Sequence, residues 1–198
     1  MGDNSGTISI SLWDKKSEKV AEKEFKRFLS EGADVLAMGI LSDDFSALTY
    51  LDLGGDELYY YGTDYPIMLT GLSQGAIVDS LDSFDLLVID TYNTGILTEE
   101  ELKAIDIWNY EGGVLIVGTG SYAEDTLAGI GDDYLGITCR NVFSPDEIGD
   151  YVYQSEEIDF SYLSMAELQD VDGRYYEQYL SKAYVTNYGE GSIGVLPY

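Results

Sequence analysis

The chain has 198 residues, 45% of them hydrophobic, and a formal net charge of −27. That length supports one sizeable core with a small appendage at most, and that composition excludes general disorder. The charge excludes nucleic acid and anionic lipid headgroups as partners of the bulk domain, so no direct membrane contact is expected; it would draw cations or basic partners, although a solubilising acidic surface needs no ligand.

The first predicted element is a half-buried strand, where Ile8, Ile10 and Leu12 alternate with Ser9 and Ser11. Next, Ala21, Phe25, Phe28 and Leu29 fall at i, i+4, i+7 and i+8, with Ser17 as N-cap and Gly32 past the end, which predicts an amphipathic helix. The alternative is a hairpin turning at Asp14–Ser17 with Val20 to Phe28 as its return strand. Residues 1–27 hold six bases and five acids, net +1, whereas residues 28–198 hold four bases and 32 acids, net −28. Two parts are therefore expected, an appendage over 1–32 and an α/β domain over 33–198.

Val35 to Leu41 is a near-continuous apolar run closed by Ser42-Asp43-Asp44, as in buried parallel strands. Phe45 to Leu53 reads as a short helix closed by Gly54-Gly55, Leu58 to Tyr61 and Pro66 to Leu69 as strands, and Gly75 to Leu81 as a weak helix before the strand Asp85 to Asp90. The helix Glu99 to Glu111 carries the clearest signals. Thr98 and Glu101 form a capping box, Leu97 and Leu102 have staple spacing, and Gly112-Gly113 predicts a left-handed stop. Val114 to Val117 is the next strand, Ala123 to Ile130 a short helix and Tyr134 to Thr138 another strand. Residues 145–181 are acidic and tyrosine-rich, with helices predicted near Ser164–Leu168 and Tyr175–Lys182. Ala183 to Tyr188 and Ser192 to Leu196, hinged at Gly189-Glu190-Gly191, read as a closing hairpin. The alternation predicts an α/β fold: three layers, a mostly parallel flavodoxin-like sheet and a C-terminal hairpin.

In such a sheet ligands bind off the carboxyl ends of the strands. Three loops would converge there, giving the candidate cleft residues Ser42, Asp43, Asp44, Tyr92, Asn93, Thr94, Thr119 and Ser121. The segment from Phe84 to Gly120, together with GILSDDFSALTYLD and the terminal YGEGSIGVLPY, resembles class I glutamine amidotransferase-like domains of uncharacterised Gram-positive surface proteins. The resemblance runs from about Val35 to Tyr198. Catalytic amidotransferases of this superfamily place a Cys nucleophile in a G-x-C-x-G elbow and pair it with a later His. Here the elbow position reads GTGSY, and the chain has no His. Cys139 lies on a different strand, cannot form an internal disulfide and alone builds no zinc site.

A hydroxyl of Thr119 or Ser121 would need a base within hydrogen-bond reach, and only carboxylates, lysines or tyrosine are available. Asp43-Asp44, Asp132-Asp133 and Asp170 with Asp172 invite a cation, but the calcium-loop pattern fails after Asp172, and carboxylates capping turns account for them. The eighteen tyrosines suit sugar rings or protein partners, and equally suit half-buried strands. No run of about 18 apolar residues exists to span a bilayer. Met1-Gly2 reads as an added start rather than a leader peptide, and the chain reads as cut from something longer. The expectation is a non-catalytic domain without cofactor or metal, binding a protein or glycan. The resemblance implies an extracytoplasmic place on the cell surface, with a membrane anchor elsewhere. The alternatives are a divergent hydrolase using loops 42–44, 91–94 and 118–121, and a spacer without ligand.

Overall fold

The computed structural model describes residues 5–13, 19–28, 36–51, 67–144, 164–177 and 182–198. The predicted strand at 58–61, the turn at 14–17 and the tyrosines between 145 and 163 lie outside the described residues. The chain divides into two units, Met1–Val35 and Leu36–Tyr198. In the first, β1 (Ser5–Trp13) pairs antiparallel with β2 (Lys19–Phe28). The predicted helix is thus a strand, and the hairpin alternative is the one adopted. The register explains why: Ile8 falls opposite Phe25 and Leu12 opposite Ala21, while Ser9 and Ser11 fall opposite Glu24 and Glu22. Ile10, between them, falls opposite Lys23, so the register sorts apolar from polar positions only in part, and strand pairing overrides the local helix propensity.

The second unit is built on β3 (Leu36–Leu41), β4 (Ile67–Gly71), β5 (Leu86–Ile89), β6 (Val114–Gly118), β9 (Tyr176–Glu177), β10 (Tyr184–Tyr188) and β11 (Gly191–Leu196). They form one seven-stranded sheet in the order β4-β3-β5-β6-β11-β10-β9. The first five in that order are mutually parallel; β10 runs antiparallel to β11 and to β9. Counted among themselves the parallel strands follow the 2-1-3-4-5 order of flavodoxin-like sheets. A separate antiparallel ribbon, β7 (Ile137–Phe143) with β8 (Met165–Asp170), lies in the connection between β6 and β11.

Alternation along the strands divides the core between the two faces. Leu41, Leu87, Ile89, Leu115, Val117, Ile193 and Val195 pack on one side beneath α1 (Ile77–Ser80), α2 (Glu99–Tyr110) and α3 (Ala123–Leu127). Met38, Ile40 and Val88 pack on the other with Leu48, from the tight 3₁₀ helix Phe45–Leu51. Among the described residues the second helical layer is that one short element, so the three layers are lopsided.

α2 follows its sequence signals closely. The Thr98 hydroxyl accepts from Glu101 N at 3.2 Å, and Glu101 Oε2 accepts from Thr98 N at 2.8 Å. Burial alone pushes the Glu101 carboxyl up, but the Thr98 amide, the Thr98 hydroxyl and the Gln74 amide together hold it below the ordinary value. That contribution is present above the ordinary Glu pKa and lost as pH falls through the folded one. Thr98→Ala should cost about 1 kcal/mol, and urea titrations at pH 7 and pH 4 should show part of that cost vanishing at the lower pH.

Several boundaries differ from expectation. The stop after α2 does fall on the glycine pair: Gly112 adopts φ 133°, in the positive region that favours glycine, and Gly113 is required because a Cβ there would overlap the Trp108 ring. The strand predicted at 134–138 begins only at Ile137. Residues 131–135 form a wide turn in which Leu135 N donates to Ile130 O at 2.8 Å, closed by Gly136 at φ 65°. The helix predicted near Ser164–Leu168 is β8, paired with β7 and tied to the sheet by Ala166 N donating to Pro197 O at 2.6 Å. Of the predicted helix 175–182, Tyr176–Glu177 is strand and 178–181 lies outside the described residues.

Candidate functional site

The connections of β3 and β5 leave in opposite directions along the sheet, β3 to β4 and β5 to β6, so a crevice is expected between their carboxyl ends. The two loops there are stitched by main-chain bonds: Asp90 N donates to Leu41 O at 3.2 Å and Asp43 N to Thr91 O at 3.2 Å. Thr91 sits at φ 49°, a strained position for a β-branched residue, and its hydroxyl donates to Asp90 Oδ2 at 3.0 Å. The other Asp90 oxygen lies over Gly118, where any Cβ would overlap it. Thr91 opens the expected 91–94 loop, whereas Asp90 was not among the expected cleft residues; the signal available for it was its place at the end of a buried strand.

The eight expected residues divide. Tyr92, Thr94 and Thr119 are inside the fold, at 7%, 0% and 3% exposure. Tyr92 belongs to the main core, and burial, followed by the Asp43 and Glu101 charges, raises its hydroxyl pKa. The Thr94 hydroxyl donates to Thr126 O and accepts from Gly129 N, both at 2.8 Å, tying this loop to the segment after α3. Those three side chains therefore serve packing and tethering rather than a cleft wall. Ser42 accepts from Asp44 N, Asp44 caps the following 3₁₀ turn through Ser46 and Ala47, and Asn93 accepts from Gly95 N. Asp43, Asp44 and Ser121 remain exposed.

The GTGS turn after β6 closes at a glycine. The positive-φ residue is Gly120 at 47°, while Thr119 sits at φ −114°. The Thr119 hydroxyl donates to Leu196 O at 2.7 Å, and its amide donates to the same oxygen at 3.1 Å. A Cβ on Gly120 would lie 3.2 Å from the Tyr198 carbonyl carbon and 3.5 Å from Ser164 O. The chain leaving β11 and the start of β8 thus lie against the elbow. A hydroxyl that is buried and donating to a main-chain carbonyl has no base to accept its proton.

Other candidate groups resolve similarly. Asp170 accepts from Gly173 N and Tyr175 N, each at 2.8 Å, and Asp172 pairs with Arg174 at 3.2 Å, so these acids shape a turn. Among the described residues no three His, Cys, Asp or Glu side chains are gathered closely enough to hold a metal. Cys139 borders a cavity of about 410 Å³ with Glu124, Asp132 and Thr138, but burial raises its thiol pKa, so it stays protonated at neutral pH.

The tyrosines form a structural network. Tyr134 donates to Asn109 Oδ1 at 2.8 Å, Tyr188 to Asp106, Tyr175 to Leu135 O at 2.8 Å and Tyr184 to Leu168 O at 3.2 Å. Tyr188 meets Tyr134 and Tyr110 edge-on, with centroids 5.5 and 5.7 Å apart. Burial raises Tyr134 strongly and lifts Tyr175 to about 12; the Asp106 hydrogen bond, then burial, lifts Tyr188 to about 12. Unfolded tyrosines lose their protons near 10.0, so this stabilisation is complete below pH 10 and lost as pH climbs toward 12. Absorbance at 295 nm should show a late-titrating class of tyrosines, with unfolding setting in across that window.

No protein-family model matches the chain, and neither does any curated protein. Solved structures do, at low identity. A GH42 β-galactosidase from G. stearothermophilus aligns at TM-score 0.43 and 12% identity, covering 83% of this chain and 28% of that one. An exo-β-1,4-mannosidase from Opitutaceae bacterium strain TAV5 aligns at 0.47 and 11%, covering 84% and 31%. A ThuA-like protein from Bacteroides uniformis aligns at 0.44 and 11%, covering 86% and 84%. The chain spans less than a third of the length of the two glycosidases. The fold class defined above is a mixed α/β domain with a mostly parallel sheet, and the activities of these proteins are theirs alone.

Proposed function

We propose that this is a non-catalytic binding domain of amidotransferase-like shape, extracytoplasmic and part of a larger surface protein, whose partner is a protein or a glycan. The observation that carries the reading is the turn itself: Gly120, which has no side chain, stands at the Cys position of the G-x-C-x-G pattern, and the neighbouring Thr119 hydroxyl is buried and bonded to Leu196 O. The absence of any His from the chain supports it, because no imidazole exists to take a proton at neutral pH. The cell-surface location rests on the sequence resemblance alone. The test is a turnover panel of glutamine, amides and esters with the purified chain, beside Thr119→Ala and Ser121→Ala. No turnover above buffer is expected. Turnover abolished by either substitution would establish the hydrolase alternative instead.

A further inference from the structure

We propose that the groove between α2, the 131–135 turn and β10 is a binding site for a neutral saccharide; this rests on the non-catalytic reading and names its ligand class. The groove encloses about 310 Å³ and is lined by Leu102, Lys103, Asp106, Asp133, Tyr134 and Tyr188, with Gly129 at its edge. That volume is at the lower end of the roughly 300–1,000 Å³ of small-ligand clefts.

Its aromatic wall is fixed in advance. The hydroxyls of Tyr134 and Tyr188 are bonded to Asn109 and Asp106, and the two rings brace each other at 75°. Ordering them costs a ligand nothing further, and both tyrosines line the groove, where an aromatic side chain contributes apolar surface of the kind that meets the C–H groups of a pyranose.

The polar lining selects among ligand charges. Lys103 and Asp133 are exposed on different elements, and among the described residues Lys103 forms no ion pair. A cation would meet the Lys103 ammonium, which is one of only four basic residues between 28 and 198. An anion would meet Asp106 and Asp133 in a chain of net charge −27. A sugar hydroxyl both donates and accepts, so vicinal hydroxyls can take the ammonium and a carboxylate together without a charge of their own. A basic peptide, which the overall charge would favour, is disfavoured here by Lys103.

The test is calorimetric titration of the full chain with lactose, cellobiose, maltose, mannobiose and chitobiose, beside spermidine and a lysine-rich peptide. At least one disaccharide should bind. Lys103→Ala and Asp133→Ala, both at exposed positions, should each weaken it at least about tenfold, whereas Glu167→Ala on β8 should leave it unchanged. Three results overturn the proposal: no disaccharide binds, binding survives both substitutions, or spermidine or the peptide takes the groove instead. None of these touches the non-catalytic reading, which fails only on turnover.

Discussion

Replacing Asn109 by Leu should lower the stability of the folded chain by about 3 kcal/mol, and so Tm by roughly 6–12 °C. Asn109 is fully buried near the end of α2 and holds three elements at once. Its amide donates to Gly113 O at 2.6 Å and to Ser192 O at 2.9 Å, and its carbonyl accepts the Tyr134 hydroxyl at 2.8 Å. Leucine matches its volume but leaves the Tyr134 hydroxyl and the Gly113 and Ser192 carbonyls without that partner, the Gly113 oxygen still accepting from Ser192 N, and each group left unpaired costs about 1–3 kcal/mol. Differential scanning calorimetry reads the shift. The 295 nm titration of the same variant should show Tyr134 less firmly held than in the parent chain. A loss below about 1 kcal/mol would mean that water replaces the amide.

Gly191→Ala should be comparably damaging, at about 3 kcal/mol. The reason is space rather than torsion, because a Cβ on Gly191 would overlap the carbonyl oxygens of Asn109 and Gly113, both main chain. Backbone cannot swing aside as a side chain can, so β11 would have to move away from the end of α2. Gly75, where a Cβ meets nothing within 4 Å, is the matched control. Gly75→Ala should change the urea midpoint little, and the contrast between the two separates close approach from a general glycine effect.

What was legible in the sequence follows from the range of the forces involved. The apolar runs of β3, β5 and β6 announce burial on both faces, and the capping box of α2 is written in four residues. The closing hairpin carries its own turn glycine, Gly189 at φ 59°. β2 and β8 were misread because their segments are locally helical. Met165-Ala166-Glu167-Leu168-Gln169 consists of good helix formers, yet pairing with β7 and the Ala166–Pro197 bond decide the outcome. The site was legible as a place but not in detail. Loops 42–44 and 90–94 do meet at the switch in strand order, as the fold class requires. That Thr94 and Thr119 turn inward depends on Thr126, Gly129 and Leu196, partners up to 77 residues away, and Tyr92 turns into the main core. The saccharide groove is assembled from α2, a wide turn and β10, and no local pattern brings those together.

The non-catalytic reading requires that neither hydroxyl of the turn after β6 be reactive. Intact-mass spectrometry after incubation with a fluorophosphonate, which labels activated serine and threonine hydroxyls, tests it most directly. An unchanged mass is expected, because the Thr119 hydroxyl is buried and bonded to Leu196 O and the chain offers Ser121 no imidazole base. An adduct mapped to Thr119 or Ser121 would contradict it.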